Sequence, residues 1–350
     1  MRILLIGGNG FIGHFTAKLL TQSGHTVALF HRASNRPAAG LQEIRGDRNQ
    51  LGASREQLNR FSPDVVVDFV ISSGQQAEQL VSFFHGRAAR VVMLSSIDVY
   101  RAISISQGME DAPLQQVPLT EDSELRRALH PYPPETLQVM RKIFSWATDD
   151  YDKIPAERVI MSNPQLPGTV LRLPMVYGPG DPLHRFYPII KRVLDRRPHI
   201  IFPQKLAAWR SPRGYVENVA AAIALAATDE RAAGRIYNVC EEPAFSELEW
   251  AQKITAAMDW EGSFLVLPEE QTPRHLLRPG NADQHWAATS ARIRNELGYA
   301  DPIPLNDAIH RTIAWERENP PTIAAFAQFD YPAEDAAAGA HSGFTNNRAV

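Results

Sequence analysis

Residues 2–6 form a short apolar run that ends directly in GGNGFIG, with glycines at 7, 8, 10 and 13. No other stretch constrains the fold as much. A run of this length suits a strand buried on both faces. Phe11, Ile12, Phe15, Leu19 and Leu20 then fall at helical spacing, Gly24 stops the helix, and residues 26–30 read as a second strand. Strand, glycine turn, helix and strand in register make a βαβ unit. Gly7 would permit the tight turn, Gly10 would let the backbone at Phe11 and Ile12 approach a pyrophosphate, and Gly13 would let the helix pack against the strand. The phosphates would rest on the free amides of the helix start, so the expected ligand is a dinucleotide.

With 350 residues, the chain suits one large two-lobed domain or two smaller ones. Its net charge of −3 gives no general attraction to nucleic acid or acidic membrane. Cys240 is the only cysteine, which excludes an intrachain disulfide and a cysteine metal cluster. The histidines lack the i, i+4 spacing of a helical zinc pair, so no metal is expected. The first residues already belong to a core strand and no apolar run approaches membrane length. The expectation is a soluble cytoplasmic protein with a small-molecule partner and a homodimer as a possible assembly.

At the end of the second strand of a dinucleotide fold, a carboxylate binds the ribose 2′-hydroxyl, whereas cations accept a 2′-phosphate. Here stand His31 and Arg32, with Arg36 nearby. NADP is therefore favoured over NAD. Asp47, after a third strand at 43–45, is within reach of the adenine amino group. Residues 64–71 and 90–95 read as central parallel strands, which puts Phe69, Val70, Ser72, Ser95 and Ser96 at the ligand crevice beyond their carboxyl ends.

GGNGFIG, SSIDVY at 95–100, LRLPMVYGPGD at 171–181, RGYVENVA at 213–220 and GRIYNV at 234–239 occur in the order seen in extended short-chain dehydrogenases/reductases. Over residues 1–320 the chain resembles the NAD(P)-dependent epimerase/dehydratase group, whose best-known members act on nucleotide sugars. The resemblance implies an α/β fold: a Rossmann-type doubly wound parallel sheet with a smaller C-terminal substrate-binding lobe. Residues 1–175 and 212–240 would make the dinucleotide domain, and 176–211 with 241–325 the lobe. It also implies hydride transfer with a serine, a tyrosine and a lysine at the site.

By that resemblance Ser96 takes the serine slot and Lys153 the lysine slot, because YDKIPAERVI at 151–160, with Glu157, is similar to the family's active-site helix. The tyrosine slot, four residues before Lys153, holds Asp149. Tyr151 is only two residues away, on a different helical side. It serves if the helix starts late. Alternatively Asp149 is the acid/base, or the chain binds cofactor without dehydrogenase chemistry. Tyr132, in the proline-flanked HPYPP, reads as loop. So does the whole of 101–135, a surface loop or lid to which no chemistry is assigned.

The resemblance further implies that the backbone from Pro174 to Val176 contacts the nicotinamide, that Tyr177 begins the crossing to the lobe, and that arginines hold a substrate diphosphate. Arg210 and Arg213 flank the usual slot, Ser211, and Arg278 lies in RPGN, followed by Trp286. Residues 330–350, small and polar, read as a disordered tail. An epimerase, dehydratase or reductase acting on a nucleotide sugar or related polyol is the leading expectation. A cofactor-binding regulatory or RNA-associated protein, or a simple carbonyl reductase, stands as the alternative.

Overall fold

The structure is a computed structural model; it describes residues 1–32, 41–321 and 329–346, with side chains described as far as 341. Eleven strands are found among the described residues: β1 (Arg2–Ile6), β2 (Thr26–His31), β3 (Gln42–Arg45), β4 (Val65–Asp68), β5 (Arg90–Ser96), β6 (Gly168–Leu173), β7 (Met175–Tyr177), β8 (His199–Pro203), β9 (Arg213–Tyr215), β10 (Arg235–Asn238) and β11 (Ser263–Leu267). Seven of them pair in the order β10-β6-β5-β4-β1-β2-β3. Every pairing in that sheet is parallel. The fold is the α/β, Rossmann-like sheet with smaller C-terminal sheets.

Parallel strands need crossover helices on both faces, and the sequence supplies apolar side chains to bury against them. β4 is buried at every position, as is β1 after Arg2. One face of the sheet packs on the Phe11–Gln22 and Val216–Thr228 helices, through Leu5, Val67, Leu171, Val219 and Ile223. The other packs on the Gly74–Phe84 and Lys153–Met161 helices, through Leu4, Val66, Met93, Ala77 and Ile160. Strand order runs outward in opposite directions from β1 and β4. Their carboxyl ends therefore flank the crevice in which such sheets bind ligands.

Two short parallel pairs, β7 with β9 and β8 with β11, lie outside the main sheet. Among the described residues no helix is long and apolar enough to cross a membrane.

Two sequence expectations are corrected here. Residues 101–135 are not a surface loop: Arg101–Ser106 is helical, and Ile103, Leu119, Glu121 and Arg126 are buried. Glu121 accepts a hydrogen bond from the Asn238 amide and Gln115 exchanges bonds with Gln284, so polar contacts as well as apolar ones hold the segment down. The expected disordered tail contains a helix, Tyr331–Asn346. Its Glu334 is buried between Arg192 and His275, with Arg192 donating at 2.5 and 3.1 Å and His275 Nε2 at 3.0 Å. Alanine-rich sequence favours helix, and the buried ion cluster supplies the docking that composition conceals.

Candidate active site

The glycine turn follows β1. Gly7 adopts φ +75°, its amide bonds to the Phe30 carbonyl, and a Cβ added there would sit 2.5 Å from Val70 Cγ1. A Cβ on Gly13 would lie 2.5 Å from Gly8 Cα, so helix and turn touch backbone to backbone. Gly10 differs: the nearest atom to its missing Cβ is the Gly7 carbonyl oxygen at 3.5 Å. It caps the Phe11–Gln22 helix without a side-chain bond, and the first helical turn carries no acid. An uncapped helix start with an open approach fits a pyrophosphate. Over this turn lies the 178–181 loop, since a Cβ on Gly180 would meet the Phe11 ring at 3.4 Å.

At the end of β2 the His31 ring is buried, 3.8 Å from Glu43, and neither ring nitrogen has a hydrogen-bond partner among the described residues. Arg32 is exposed and donates to Ser145 Oγ at 3.4 Å. Arg36 lies outside the described residues. Asp47 accepts from the Asn49 amide at 2.9 Å, starting the turn after β3. Phe69 and Val70 follow β4 and are half-buried beside the glycine turn. β4 ends at Asp68 because that carboxylate accepts from the Val70 amide at 3.0 Å and pairs with buried Arg48 at 2.8 Å.

The chemistry-bearing groups converge at the ends of β4 and β5. Asp152, in extended backbone, caps the Lys153–Met161 helix by accepting from the Ile154 amide at 3.0 Å. The helix therefore starts at Lys153, and Tyr151 precedes it. The Tyr151 hydroxyl donates to Asp98 Oδ2 at 3.0 Å, and Tyr132 donates to the same oxygen at 3.2 Å. Asp98 Oδ1 is buried with no hydrogen-bond partner among the described residues. Ser96 Oγ accepts from the Asp98 amide at 3.1 Å and so shapes the turn that presents the carboxylate.

Lys153 is buried. Its ammonium donates to the Ile71 carbonyl and, at 3.1 Å, to the Leu94 carbonyl, and lies 5.1 Å from the centroid of Trp146 and 5.8 Å from that of Tyr151. Two of its three donors are used on the backbone, which leaves one for a ribose hydroxyl.

The charges tune one another. Burial lowers the Lys153 pKa from 10.5 to about 8, against the opposing pull of Asp98 and Asp68. Burial raises the Asp98 carboxyl above its ordinary range, while Arg126 and Lys153 act to lower it. Tyr151 is pushed well above 10 by burial and then by the Asp98 charge. A phenol in this setting stays protonated at neutral pH, with its O–H donated to the Asp98 carboxylate.

Asp149 does not join the cluster. Its side chain is 95% exposed and pairs with Arg141, because the late helix start leaves it in the preceding loop. Glu157 and Ser95 are also occupied elsewhere. Ser95 donates to Glu157 at 2.5 Å, and Glu157 binds Arg172 through both oxygens, a buried pair beneath the site. Arg126 pairs with Asp152 at 2.5 Å and donates to the Asp98 carbonyl at 2.9 Å, tying the helix start to the Asp98 turn.

Pro174 and Val176 lie where β6 hands over to β7 at the crevice. Val176 accepts from Arg185 at 2.7 Å, and Pro174 packs on Gly214. Tyr177 is buried and donates to Glu241, whose carboxyl is raised to about 7 by burial. In the lobe Arg210 pairs with Glu249 at 2.8 Å, and Arg213 with Glu247 at 2.7 Å. Arg278 instead stacks on Trp209 at 3.4 Å and Trp286 at 4.7 Å, and burial lowers its pKa to about 10. Of the three arginines it is the one with no ion pair among the described residues; its guanidinium rests on aromatic faces, with Glu247 near enough to act on its charge.

Residues 3–240 match the NAD dependent epimerase/dehydratase family, a span that includes the glycine turn, Asp98, Tyr151 and Lys153. The chain belongs to that family. This epimerase/dehydratase chain shares its fold with solved nucleotide-sugar enzymes. One is dTDP-glucose 4,6-dehydratase from Bacillus anthracis in complex with NAD (16% identity, 91% of this chain and 97% of that one, TM-score 0.64). Another is UDP-glucose 4-epimerase from Thermotoga maritima with UDP-glucose (15%, 91% and 99%, TM-score 0.64). A third is UDP-glucuronic acid 4-epimerase from Bacillus cereus with UDP-glucuronic acid and NAD (19%, 91% and 99%, TM-score 0.64). No curated protein matches the sequence.

In this epimerase/dehydratase chain, sequence reasoning missed Asp98, Arg126 and Trp146. Asp98 stands inside the SSIDVY motif already singled out, and a carboxylate in a turn at a buried strand end was the available signal. Arg126 and Trp146 carry none, since their roles come from contacts 26 and 7 residues away in sequence.

Proposed function

We propose that the chain is an NAD(P)-dependent oxidoreductase of the epimerase or dehydratase type, acting on a hydroxyl of a nucleotide sugar or related polyol. The observation that carries this is the hydrogen bond from Tyr151 to buried Asp98, beside Lys153, in a chain whose glycine turn opens on an uncapped helix start. Gly7, Gly10 and Gly13 with the amides of Phe11 and Ile12 would hold the pyrophosphate, and Lys153 the nicotinamide ribose. A nicotinamide held there would supply the hydride acceptor and donor that chemistry at a substrate carbinol carbon requires.

The chain's own residues handle the proton. Tyr151 receives it from the substrate hydroxyl as its own proton passes to Asp98 Oδ2, so the phenol never needs to ionise fully. Tyr132 holds the carboxylate from the other side. Ser96 sets the turn and keeps its own O–H for the substrate. Lys153 stabilises the negative charge on Asp98 before transfer. Asp149, exposed and paired with Arg141, takes no part.

Arg278 on its two indoles supports recognition of an anionic or nucleotide-bearing substrate, because a guanidinium without an ion pair keeps its fork for phosphate. For the cofactor, Arg32 supports NADP, whereas Glu43 beside His31 and the NAD-bound neighbours support NAD. The ratio of dissociation constants for NADH and NADPH assigns it.

The test is turnover of a panel of UDP- and dTDP-hexoses with each cofactor, followed by product analysis, for the wild type, Tyr151→Phe and Asp149→Asn. Activity retained in Asp149→Asn and lost in Tyr151→Phe is expected. Cofactor binding with no turnover of any sugar would favour the regulatory alternative.

A further inference from the structure

Residues 144–148, between the Pro134–Ile143 and Lys153–Met161 helices, make contacts near the ends of three strands. After β4, Ser72 Oγ lies 2.9 Å from Thr148 Oγ1 and 3.5 Å from the Trp146 carbonyl. At the end of β5, the Trp146 ring stacks near the Lys153 ammonium, which is itself bonded to Leu94. Beyond β2, Ser145 accepts from Arg32. β1 lies between β4 and β2, so the contacts to Ser72 on one side and to the Arg32 guanidinium on the other bracket the carboxyl end of β1, where the glycine turn begins. A dinucleotide binds in that same crevice.

We propose that residues 144–148 form the outer wall of the cofactor groove, a lid that opens to admit the dinucleotide and closes over it. Trp146 seals the nicotinamide-ribose end and Arg32 with Ser145 latches the adenosine end. The inference rests on the cofactor-binding reading above. Two features suit a moving wall. The latch is one exposed hydrogen bond at 3.4 Å, and such contacts are worth little. The Trp146 end packs on Phe144 and Tyr151, ring to ring at 5.7 and 6.2 Å, with Trp146 itself only half-buried. Lys153 must turn its remaining N–H to a ribose, and the Trp146 ring is among the groups lining its approach.

The proposal is tested with Arg32→Cys/Ser145→Cys in the full chain, linked by a short bifunctional maleimide. Native Cys240 does not interfere, since it is buried and its thiol is pushed far above the ordinary range. Linking before NADH is added should slow association at least tenfold, and linking after loading should slow dissociation at least tenfold. Separately, Trp146→Ala should raise the NADH dissociation rate about tenfold. Equal rates in linked and unlinked protein would overturn the lid. If neither NADH nor NADPH binds the unlinked variant or the wild type, the cofactor reading itself falls, and the lid with it.

Discussion

Lys153 is stored in the fold at a cost, and that cost is measurable. Moving its pKa from 10.5 to about 8 means that the folded state disfavours the charged ammonium. At 1.36 kcal/mol per pKa unit this amounts to about 3 kcal/mol. The folded pKa is the lower one, so between about pH 8 and 10.5 the unfolded chain holds a proton that the folded chain has released. Stability must then rise with pH across that window, and the full penalty applies below it.

Lys153→Met removes the charge while keeping the length of the side chain. It also strips donors from the Ile71 and Leu94 carbonyls, at roughly 1–2 kcal/mol each. At pH 7 loss and gain are close, so the variant should stay within about 1 kcal/mol of wild type. At pH 10.5 the wild type has shed its penalty and should be about 3 kcal/mol better placed against the variant than at pH 7. Urea unfolding of both proteins without cofactor, at the two pH values, gives the difference directly. A gap that stays constant from pH 7 to 10.5 would refute the reasoning, because it would mean that Lys153 is solvated or fully compensated in the fold. The variant should be inactive throughout.

Three further outcomes follow from the same geometry. Asp98→Asn should lower kcat by about 10²–10⁴ and remove the acid limb of the pH–rate profile, which burial of Asp98 places above the usual carboxylate range; an unchanged limb would assign it to another group. Gly13→Ala should cost about 1–3 kcal/mol in thermal or urea unfolding and weaken NADH binding, since both the new methyl and the Gly8 backbone are fixed. Arg126→Met should destabilise by about 3–5 kcal/mol by leaving Asp152 buried and unpaired, and adding Asp152→Asn should recover part of that loss in a double-mutant cycle.

Much of the sheet was legible because strands buried on both faces must be apolar throughout. The 168–173 run became β6 unchanged, while the expected 64–71 strand stops at Asp68 because of a carboxylate-to-backbone bond that no periodicity encodes. The glycines were legible for a different reason: Gly7 and Gly13 answer steric demands that leave little choice of residue. The proton-handling groups were harder to find. Sequence spacing sets Tyr151 on the wrong helical face, and only the Asp152 cap, itself held by Arg126, shows that no helix exists there yet. Residues 101–135 read as loop because their partners, such as Asn238 and Gln284, come more than a hundred residues later.

The Arg192–Glu334 pair joins residues 142 positions apart. A chain leaving the ribosome thus presents a guanidinium destined for burial long before its counter-charge has been synthesised. The Arg192 site is complete only once the Tyr331–Asn346 helix, which carries Glu334, has been made. A protease or a bulky fusion acting on the Tyr331–Asn346 helix would expose the buried Arg192 charge, while the seven-stranded sheet, whose strands all lie between Arg2 and Asn238, kept its pairing.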